Sequence, residues 1–208
     1  MKTVTTVLFD LGNVLTLPQD QLQVERMRAL VGAAVPLGDF RTAYEACRRD
    51  YDGGLIDYRE YWRRVAARLE VELPDSLLPT LRDTDLRSWF NINPEMLRYV
   101  GRLHDAARHL VLISNIHQDG AEYLERSYAW KDLFAKRIYS CEHRVNKPDA
   151  RIFRIALAAV DAAPEESLLV DDLPENVLGG RQVGLNAIRF TDVGDLRRKM
   201  SRSYRVVG

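Results

Sequence analysis

Cysteine is scarce in this chain, and long apolar runs are missing. The 208 residues include two cysteines, Cys47 and Cys141, which form neither a metal-binding spacing nor a disulfide framework. We therefore expect two small, partly buried side chains in a reducing compartment. No apolar run approaches the ~18 residues of a membrane span. The apolar segment near the start ends at Asp10, unlike a secretory signal. The sequence predicts a cytoplasmic protein that has no membrane partner.

An excess of charge of either sign is also missing. Lysine and arginine together number 30, aspartate and glutamate together number 30, and the formal net charge is zero. The chain-wide basic surface typical of nucleic-acid-binding proteins is therefore absent, and we predict no nucleic-acid partner. Internal repeats and linkers rich in proline, glycine or serine are absent as well. The length fits one large domain, or one domain that carries an insertion.

Short apolar runs alternate with helical patterns over much of the chain. Runs typical of buried parallel strands cover residues 4–9, 110–114 and 167–170, with weaker candidates at 137–140 and 186–190. Helical patterns cover residues 96–107, 149–160 and 174–183, and Asn93-Pro94 before the first of them is typical of a helix start. This alternation predicts an α/β fold, with a doubly wound (Rossmann-like) parallel sheet covered by helices on both faces.

Residues 16–91 interrupt the alternation. They contain no convincing strand, and apolar positions at helical spacing recur over residues 21–31, 40–51, 58–69 and 77–89. Four consecutive helices after the first strand indicate a small bundle placed over the edge of the sheet. We therefore predict a helical-bundle cap of residues 16–91, inserted into a core made of residues 1–15 and 92–208.

Polar side chains stand at or beside the predicted carboxyl ends of several strands, where open parallel sheets bind their ligands. Each has an ordinary explanation when taken alone, as a strand terminus, a turn or a surface lysine. Their joint position is what predicts a single site. They are Asp10, Ser114 with Asn115, Lys147 just before a helix, and Asp171 with Asp172.

Four short motifs carry a resemblance to a known family. They read VLFDLGNVL at residues 7–15, LISN at 112–115, NKPD at 146–149, and LVDD at 169–172 followed by Asn176. In this order they resemble the motifs of the haloacid dehalogenase-like hydrolase superfamily, and the helical insertion is similar to the cap of its subfamily I. The sequence DLGNV also resembles a branch that includes bacterial phosphatases acting on sugar phosphates such as glucose 1-phosphate.

The resemblance implies that Asp10 is a nucleophile, which attacks phosphorus and forms an aspartyl phosphate that water hydrolyses. A carboxylate that approaches a phosphate meets like-charge repulsion, at roughly 4 kcal/mol per pair of unit charges at ~4 Å. Mg²⁺ and the ammonium group of Lys147 would offset this repulsion. By the same resemblance, Mg²⁺ is held by Asp10, the carbonyl oxygen of Gly12 and Asp172, with Asp171 bound directly or through water.

The resemblance also implies roles for four residues around the substrate and the acidic loop. Ser114 donates its hydroxyl to a phosphoryl oxygen, the Asn115 backbone N–H lies beside it, and Lys147 completes the substrate-binding and catalytic set. Asn176 orients the acidic loop. The substrate expected is a small phosphorylated metabolite, with sugar phosphates as one candidate class.

Gly12 departs from the pattern of the family. Most phosphatases of the superfamily carry a second aspartate at this position, which protonates the leaving alcohol and then activates water. Such acid–base help is typically worth about 10²–10⁴-fold. Its absence predicts a slow enzyme, a preference for better leaving groups, or another residue in this role. His117 and Asp119 are the nearest candidates in the sequence.

Three alternatives to a phosphatase share some of these features. Haloacid dehalogenases share the nucleophile, serine and lysine and need no leaving-group proton, but they lack the acidic pair, so Asp171 and Asp172 favour phosphate. A phosphosugar mutase would need the aspartate missing at Gly12. A non-catalytic binding module would be expected to lose Asp10, Lys147 or Asp172, yet all three are present.

Overall fold

A computed structural model describes residues 1–208 and has a five-stranded parallel sheet at its centre. Its strands are β2 (Thr6–Phe9), β3 (His109–Ser114), β4 (Lys136–Tyr139), β5 (Ser167–Asp171) and β6 (Asn186–Arg189), and β1 is Lys2–Val4. The spatial order is β4-β3-β2-β5-β6, and every neighbouring pair is parallel. From the central β2 the chain winds first to one side and then to the other, which confirms the predicted doubly wound α/β fold.

Helices cover both faces of this sheet. The helices of the chain are α1 Gln21–Val31, α2 Leu37–Asp52, α3 Tyr58–Arg68, α4 Leu78–Trp89, α5 Pro94–His104, α6 Gln118–Ser127, α7 Ser140–His143, α8 Ala150–Ala158, α9 Pro174–Gln182 and α10 Val193–Ser203, of which α1 to α4 do not belong to these two layers. Alternate residues of β2 enter opposite cores: Val7 and Phe9 pack in the cluster that contains α5 and α10, and Leu8 packs in the cluster that contains α8 and α9. The continuous apolar strands are explained by this burial on both faces.

The predicted first strand, residues 4–9, is wrong in its bounds. The strand is interrupted at Thr5, whose backbone N–H donates to the carbonyl of Glu166. Before the break, β1 forms a separate two-stranded parallel sheet with β7 (Tyr204–Val206). A local apolar pattern does not show which distant segment a strand pairs with. The sequence prediction therefore missed both the interruption at Thr5 and strand β7.

The predicted helix starts rest on identifiable caps. Asn93 accepts a hydrogen bond from the Met96 backbone N–H at 3.1 Å, and Pro94 is the first residue of α5. Asp20 caps α1 by accepting from the N–H of Leu22 at 2.8 Å. The Asn93-Pro94 pair therefore marked the start of α5 correctly, whereas the cap of α1 was not part of the sequence prediction.

The segment between β2 and α5 holds four helices, α1 to α4, and no strand. These helices have a hydrophobic cluster of their own, which includes Phe40, Tyr61 and Trp62, all fully buried. The chain crosses between sheet and helices twice, and the two crossings meet where Thr16 pairs with Ile92. We propose residues 16–91 as the cap, and residues 1–15 and 92–208 as the core.

The end of α2 rests on the core near α7. Ser140 Oγ donates to the carbonyl of Asp52 at 2.5 Å, and Asn146 Nδ2 donates to the carbonyl of Arg49 at 2.7 Å. These contacts hold the proposed cap over the carboxyl ends of the strands. None of the helices is long and apolar enough to cross a membrane.

Candidate active site

Asp10 follows β2, the central strand of the sheet. Its backbone N–H donates to the Val170 carbonyl at 3.0 Å, which continues the pairing with β5. Its Oδ1 accepts from the Leu11 backbone N–H at 2.7 Å and lies 2.8 Å from Lys147 Nζ. Its other oxygen, Oδ2, accepts no hydrogen bond. The side chain is thus fixed through one oxygen and leaves the second free to act on a ligand.

Lys147 is almost completely buried, with 1% of its side chain exposed. Its Nζ contacts Asp10 Oδ1 at 2.8 Å, Asp171 Oδ2 at 2.7 Å and the Ile113 carbonyl at 3.0 Å. The backbone is held by Asn115, whose Oδ1 accepts from the Lys147 N–H at 2.7 Å and whose Nδ2 donates to the Lys147 carbonyl at 2.9 Å. The sequence had suggested only the backbone N–H of Asn115 as functional, and missed this side-chain clamp.

The two neighbouring aspartates at the end of β5, Asp171 and Asp172, face different partners, as expected for consecutive residues of an extended chain. Asp171 is fully buried and accepts from Lys147, from the Leu173 backbone N–H at 3.0 Å, and from Asn176 Nδ2 at 3.0 and 3.2 Å. These bonds place Asn176 beside the acidic loop, where an orienting residue was predicted. Both oxygens of Asp171 are therefore engaged.

Asp172 is half-buried and faces the loop that follows Asp10. Its Oδ2 accepts from Asn13 Nδ2 at 2.9 Å, whereas its Oδ1 accepts no hydrogen bond. Asn13 has a φ of +56°, in the left-handed region that asparagine tolerates better than most residues. The turn after β2 therefore brings Asn13 to the acidic loop.

The site has the donors that a hard divalent cation requires. Carboxylate oxygens of Asp10, Asp171 and Asp172 all lie within 4.8 Å of one another. Two oxygens free of hydrogen bonds, Asp10 Oδ2 and Asp172 Oδ1, could bind such a cation directly. Asp171, with both oxygens engaged, is better suited to an indirect contact.

Burial makes negative charge costly at this site. It raises the pKa of Asp10 to about 7, against the opposing effect of Lys147, and it raises the pKa of Asp172. Burial would lower the pKa of Lys147, but the carboxylates of Asp10 and Asp171 outweigh it and raise that pKa. Three carboxylates thus face a single ammonium group, so a bound cation would relieve their repulsion.

A cavity of about 300 Å³ opens above these residues, between the sheet and helices α2 and α4. Ser114 at the end of β3 lines it, and its hydroxyl has one long hydrogen bond of 3.5 Å to the Asn115 carbonyl, so it can turn toward a ligand. Sequence reasoning missed the opposite wall, which comprises Glu45, Arg48, Asp52, Leu86, Trp89 and Phe90. The spacing of residues 45, 48 and 52 on one helical face was the available signal.

Arg48 on that wall is already paired. It donates to Asp52 at 2.8 Å and to the buried Asp85 at 2.9 Å. Four aromatic rings surround the guanidinium at 5.3–6.0 Å, those of Tyr44, Tyr51, Tyr61 and Trp89. Burial raises the pKa of Asp52 to about 6, against the effect of Arg48. The positive charge of Arg48 is therefore balanced within the wall.

His117 and Asp119, suggested as replacements for the acid missing at Gly12, lie in different surroundings. His117 lines the cavity, stacks on Tyr51 with ring centroids 4.0 Å apart, and accepts the Gly120 N–H at Nδ1. Burial lowers the pKa of His117 well below its usual value. Asp119 is not part of the cavity wall; it accepts from the Tyr51 hydroxyl at 3.3 Å and faces Arg82.

Comparison with known proteins gives the family. A family model described as haloacid dehalogenase-like hydrolase matches residues 4–184. The sesquiterpene phosphatase astK of Aspergillus oryzae is 24% identical over 91% of this chain and 91% of its own length. A phosphoserine phosphatase of Thermus thermophilus is 43% identical over 56 residues, which are 26% of this chain and 22% of that protein.

Solved structures share the fold. The HAD family enzyme bt-2542 of Bacteroides thetaiotaomicron has a TM-score of 0.76 and 20% identity, over 95% of this chain and 100% of that one. The same enzyme was also solved with magnesium and inorganic phosphate, with a TM-score of 0.72. The 2-haloacid dehalogenase of Pseudomonas syringae has a TM-score of 0.64 and 20% identity, over 90% and 86% of the two chains. With most of its length matched by the family model, this chain belongs to the haloacid dehalogenase-like hydrolases.

Proposed function

We propose that this hydrolase is a Mg²⁺-dependent phosphatase that acts on a small phosphorylated metabolite. The observation that carries the proposal is the Asp10 carboxylate, held at one oxygen by Lys147 at 2.8 Å and free at the other, with a carboxylate oxygen of Asp172 within 4.8 Å of the Asp10 carboxylate. Matches to two proteins named as phosphatases support it. We also propose a cytoplasmic location, since Cys47 and Cys141 are both unpaired.

In the proposed reaction, Asp10 Oδ2 attacks phosphorus and the bond from phosphorus to the leaving oxygen breaks. Lys147 offsets the negative charge of the phosphoryl oxygens, and the Ser114 hydroxyl donates a hydrogen bond to one of them. Asn115 keeps Lys147 in place through two hydrogen bonds to the Lys147 backbone. Water then attacks the aspartyl phosphate, which releases phosphate and restores Asp10. A Mg²⁺ ion held by Asp10, Asp172 and the Gly12 carbonyl would supply positive charge near the phosphoryl oxygens.

A dehalogenase is the second candidate, because its nucleophile, serine and lysine would be the same and a solved dehalogenase shares the fold. The acidic loop favours a phosphatase. Halide displacement requires no cation, whereas Asp172 supplies a second carboxylate within 4.8 Å of Asp10, and its negative charge contributes to raising the pKa of Asp10. A binding module that lacks catalysis is the third candidate, and the test below separates all three.

The test measures turnover of an aryl phosphate by the full chain with Mg²⁺ or with a chelator. Asp10→Asn keeps the shape and removes the nucleophilic charge, so we expect turnover to fall by at least about 10³-fold. Asp161→Asn is the matched control, because Asp161 is exposed, lies outside the cavity and has a φ of +49° that asparagine accepts. A phosphate adduct on Asp10, detected by mass spectrometry, would support the intermediate.

Three results would overturn the proposal. Comparable turnover by Asp10→Asn would exclude Asp10 as the nucleophile. Halide release from a 2-haloacid, without hydrolysis of any phosphate ester, would identify a dehalogenase, and tight phosphate-ester binding without either reaction would identify a binding module.

A further inference from the structure

The space directly above Gly12 is covered by a side chain of the cap. A Cβ atom added to Gly12 would have one neighbour within 4 Å outside the adjoining residues, Cζ3 of Trp89, at 4.0 Å. Gly12 has φ −63° and ψ 134°, a conformation open to any amino acid. The backbone therefore does not require glycine here, and the residue that faces the vacant side-chain position is Trp89.

The indole of Trp89 is held in one orientation. Its Nε1–H donates to the Tyr44 hydroxyl at 2.9 Å, and that hydroxyl donates in turn to the buried Asp85. The Arg48 guanidinium lies 6.0 Å from the centre of the ring. Because Cζ3 and Nε1 are on opposite sides of an indole, the polar edge faces the cap and the hydrocarbon edge faces Gly12.

Two titratable side chains that line the cavity, those of Asp52 and His117, are engaged elsewhere. Asp52 accepts two hydrogen bonds from Arg48, at 2.8 and 3.2 Å. His117 accepts the Gly120 N–H at Nδ1, and its Nε2 faces Asp85 at 3.8 Å. Glu45 is different, because it lines the cavity and makes no hydrogen bond or ion pair, so it is the competing donor that an experiment has to exclude.

We propose that Trp89 and Gly12 form a matched pair that sets the leaving-group specificity of the site. The hydrocarbon edge of Trp89 covers the leaving group where a carboxylate at residue 12 would otherwise protonate it. Leu86 and Phe90 extend the same apolar wall. The substrate class that fits is a phosphate ester of an acidic hydroxyl carried on a planar, apolar group, of which phenols are the simplest. This inference rests on the proposed phosphatase function.

The first reaction step needs no proton from an acid at residue 12 when the leaving group is acidic. Asp10 Oδ2 forms its bond to phosphorus, the bond from phosphorus to the leaving oxygen breaks, and its electron pair stays on that oxygen. An acidic hydroxyl departs as its stable anion and later takes a proton from water. An alkoxide from a simple alcohol is far less stable, so its ester should react slowly at this site.

The first experiment plots kcat/KM of the wild-type protein against the leaving-group pKa for a graded series of phosphomonoesters. We expect a steep fall as the leaving-group pKa rises, and a flat line would overturn the proposal. Glu45→Gln should leave the slope unchanged. A slope that is shallow in the wild type and steep in Glu45→Gln would assign the proton to Glu45 and overturn the proposal as well.

The second experiment tests the pair itself. Gly12→Asp alone should raise alkyl phosphate turnover by less than about threefold, whereas Gly12→Asp with Trp89→Ala should raise it by about 10²-fold or more, within the range of acid–base help. If Gly12→Asp alone raised alkyl phosphate turnover by the full ~10²-fold or more, Trp89 would not keep a carboxylate at residue 12 from the leaving group, and the proposal would be overturned. Because the double variant could fail to fold, Trp89→Phe gives an independent measurement.

In Trp89→Phe, the ratio of aryl to alkyl kcat/KM should fall about 3- to 10-fold, the size of one aromatic contact. An equal loss on both esters, which a merely structural role would give, overturns the proposal. This failure differs from failure of the proposed function. If the wild-type protein hydrolyses no ester in the presence of Mg²⁺, the phosphatase itself is wrong, whereas turnover insensitive to Trp89 contradicts the pair alone.

Discussion

The ammonium of Lys147 and the carboxylate of Asp171 form an ion pair 2.7 Å apart, with 1% and 0% of the two side chains exposed. Both charges are almost completely shielded from solvent, so each depends on the other and on the hydrogen bonds around the pair. Asn176 and the Leu173 N–H satisfy Asp171, and the Ile113 carbonyl satisfies Lys147. The pair therefore joins the strand ends of the core before any ligand binds.

Removal of Lys147 should affect both stability and activity. In Lys147→Ala, Asp171 would be a buried charge without a partner, so we expect the free energy of unfolding to fall by about 3–5 kcal/mol. Turnover should be largely lost, because Asp10 also loses its neighbouring positive charge. Urea unfolding and kinetics measure the two effects. Lys136→Ala, at an exposed position of β4 without an ion pair, should change neither by much. A loss below about 1 kcal/mol would show that the ion pair between Lys147 and Asp171 contributes no more to stability than an exposed ion pair does.

The contact between the cap and the core should be sensitive to a methyl group at Gly54. Gly54 has a φ of +65°, and an added Cβ would lie 2.5 Å from the Cys141 carbonyl oxygen. We expect Gly54→Ala to lower the free energy of unfolding by about 1–3 kcal/mol. Gly38→Ala is the opposite control, because Gly38 is exposed in α2 with nothing near its Cβ position. It should leave stability unchanged or raise it by up to about 1 kcal/mol. Equal effects of the two substitutions would contradict this account.

The sequence predicted the sheet and the positions of polar residues at its edge for a physical reason. Strands buried on both faces leave continuous apolar runs, and the carboxyl ends of parallel strands meet at one edge. Asp10, Ser114 and Asp171 could therefore be placed near one another from local patterns alone. Lys147 belongs to no strand. Its position just before a helix placed it beside the strand ends, whereas its role at the phosphoryl group rested on the resemblance to the family.

What the sequence missed depends on partners far apart along the chain. Asn115 clamps the backbone of Lys147, 32 residues away, and β1 pairs with β7 at the other end of the chain. Helical periodicity predicted that α4 is amphipathic but not that Trp89 faces Gly12. Such contacts arise from the packing of whole elements, which a local pattern does not encode.

The two neighbouring aspartates should respond differently to Mg²⁺. Asp172 offers a free oxygen, and burial and the neighbouring Asp171 raise its pKa, so Asp172→Asn should leave stability in a chelator unchanged or slightly higher. It should remove most of the rise in Tm that Mg²⁺ produces in the wild-type protein. Asp171→Asn should instead destabilise the protein even in the chelator, because Lys147 loses its buried partner. Thermal unfolding of both variants, with and without Mg²⁺, distinguishes them. An unchanged Mg²⁺ response in Asp172→Asn would exclude Asp172 as a ligand.

His117 should make the stability of the protein depend on pH. Burial lowers its pKa well below the usual 6.5, so below pH 6.5 the unfolded chain binds a proton at His117 that the folded chain does not. This contribution to stability is present above pH 6.5 and is lost as the pH falls, by up to about 1.4 kcal/mol per pH unit. His117→Asn keeps an acceptor for the Gly120 N–H but does not titrate. Other groups, including Asp10 and Asp52, titrate in both proteins, so the measured quantity is the difference in free energy of unfolding between wild type and variant, from pH 8 to pH 5. The advantage of the wild type should shrink steadily below pH 6.5; a constant difference would show that His117 is protonated equally in the folded and unfolded chains.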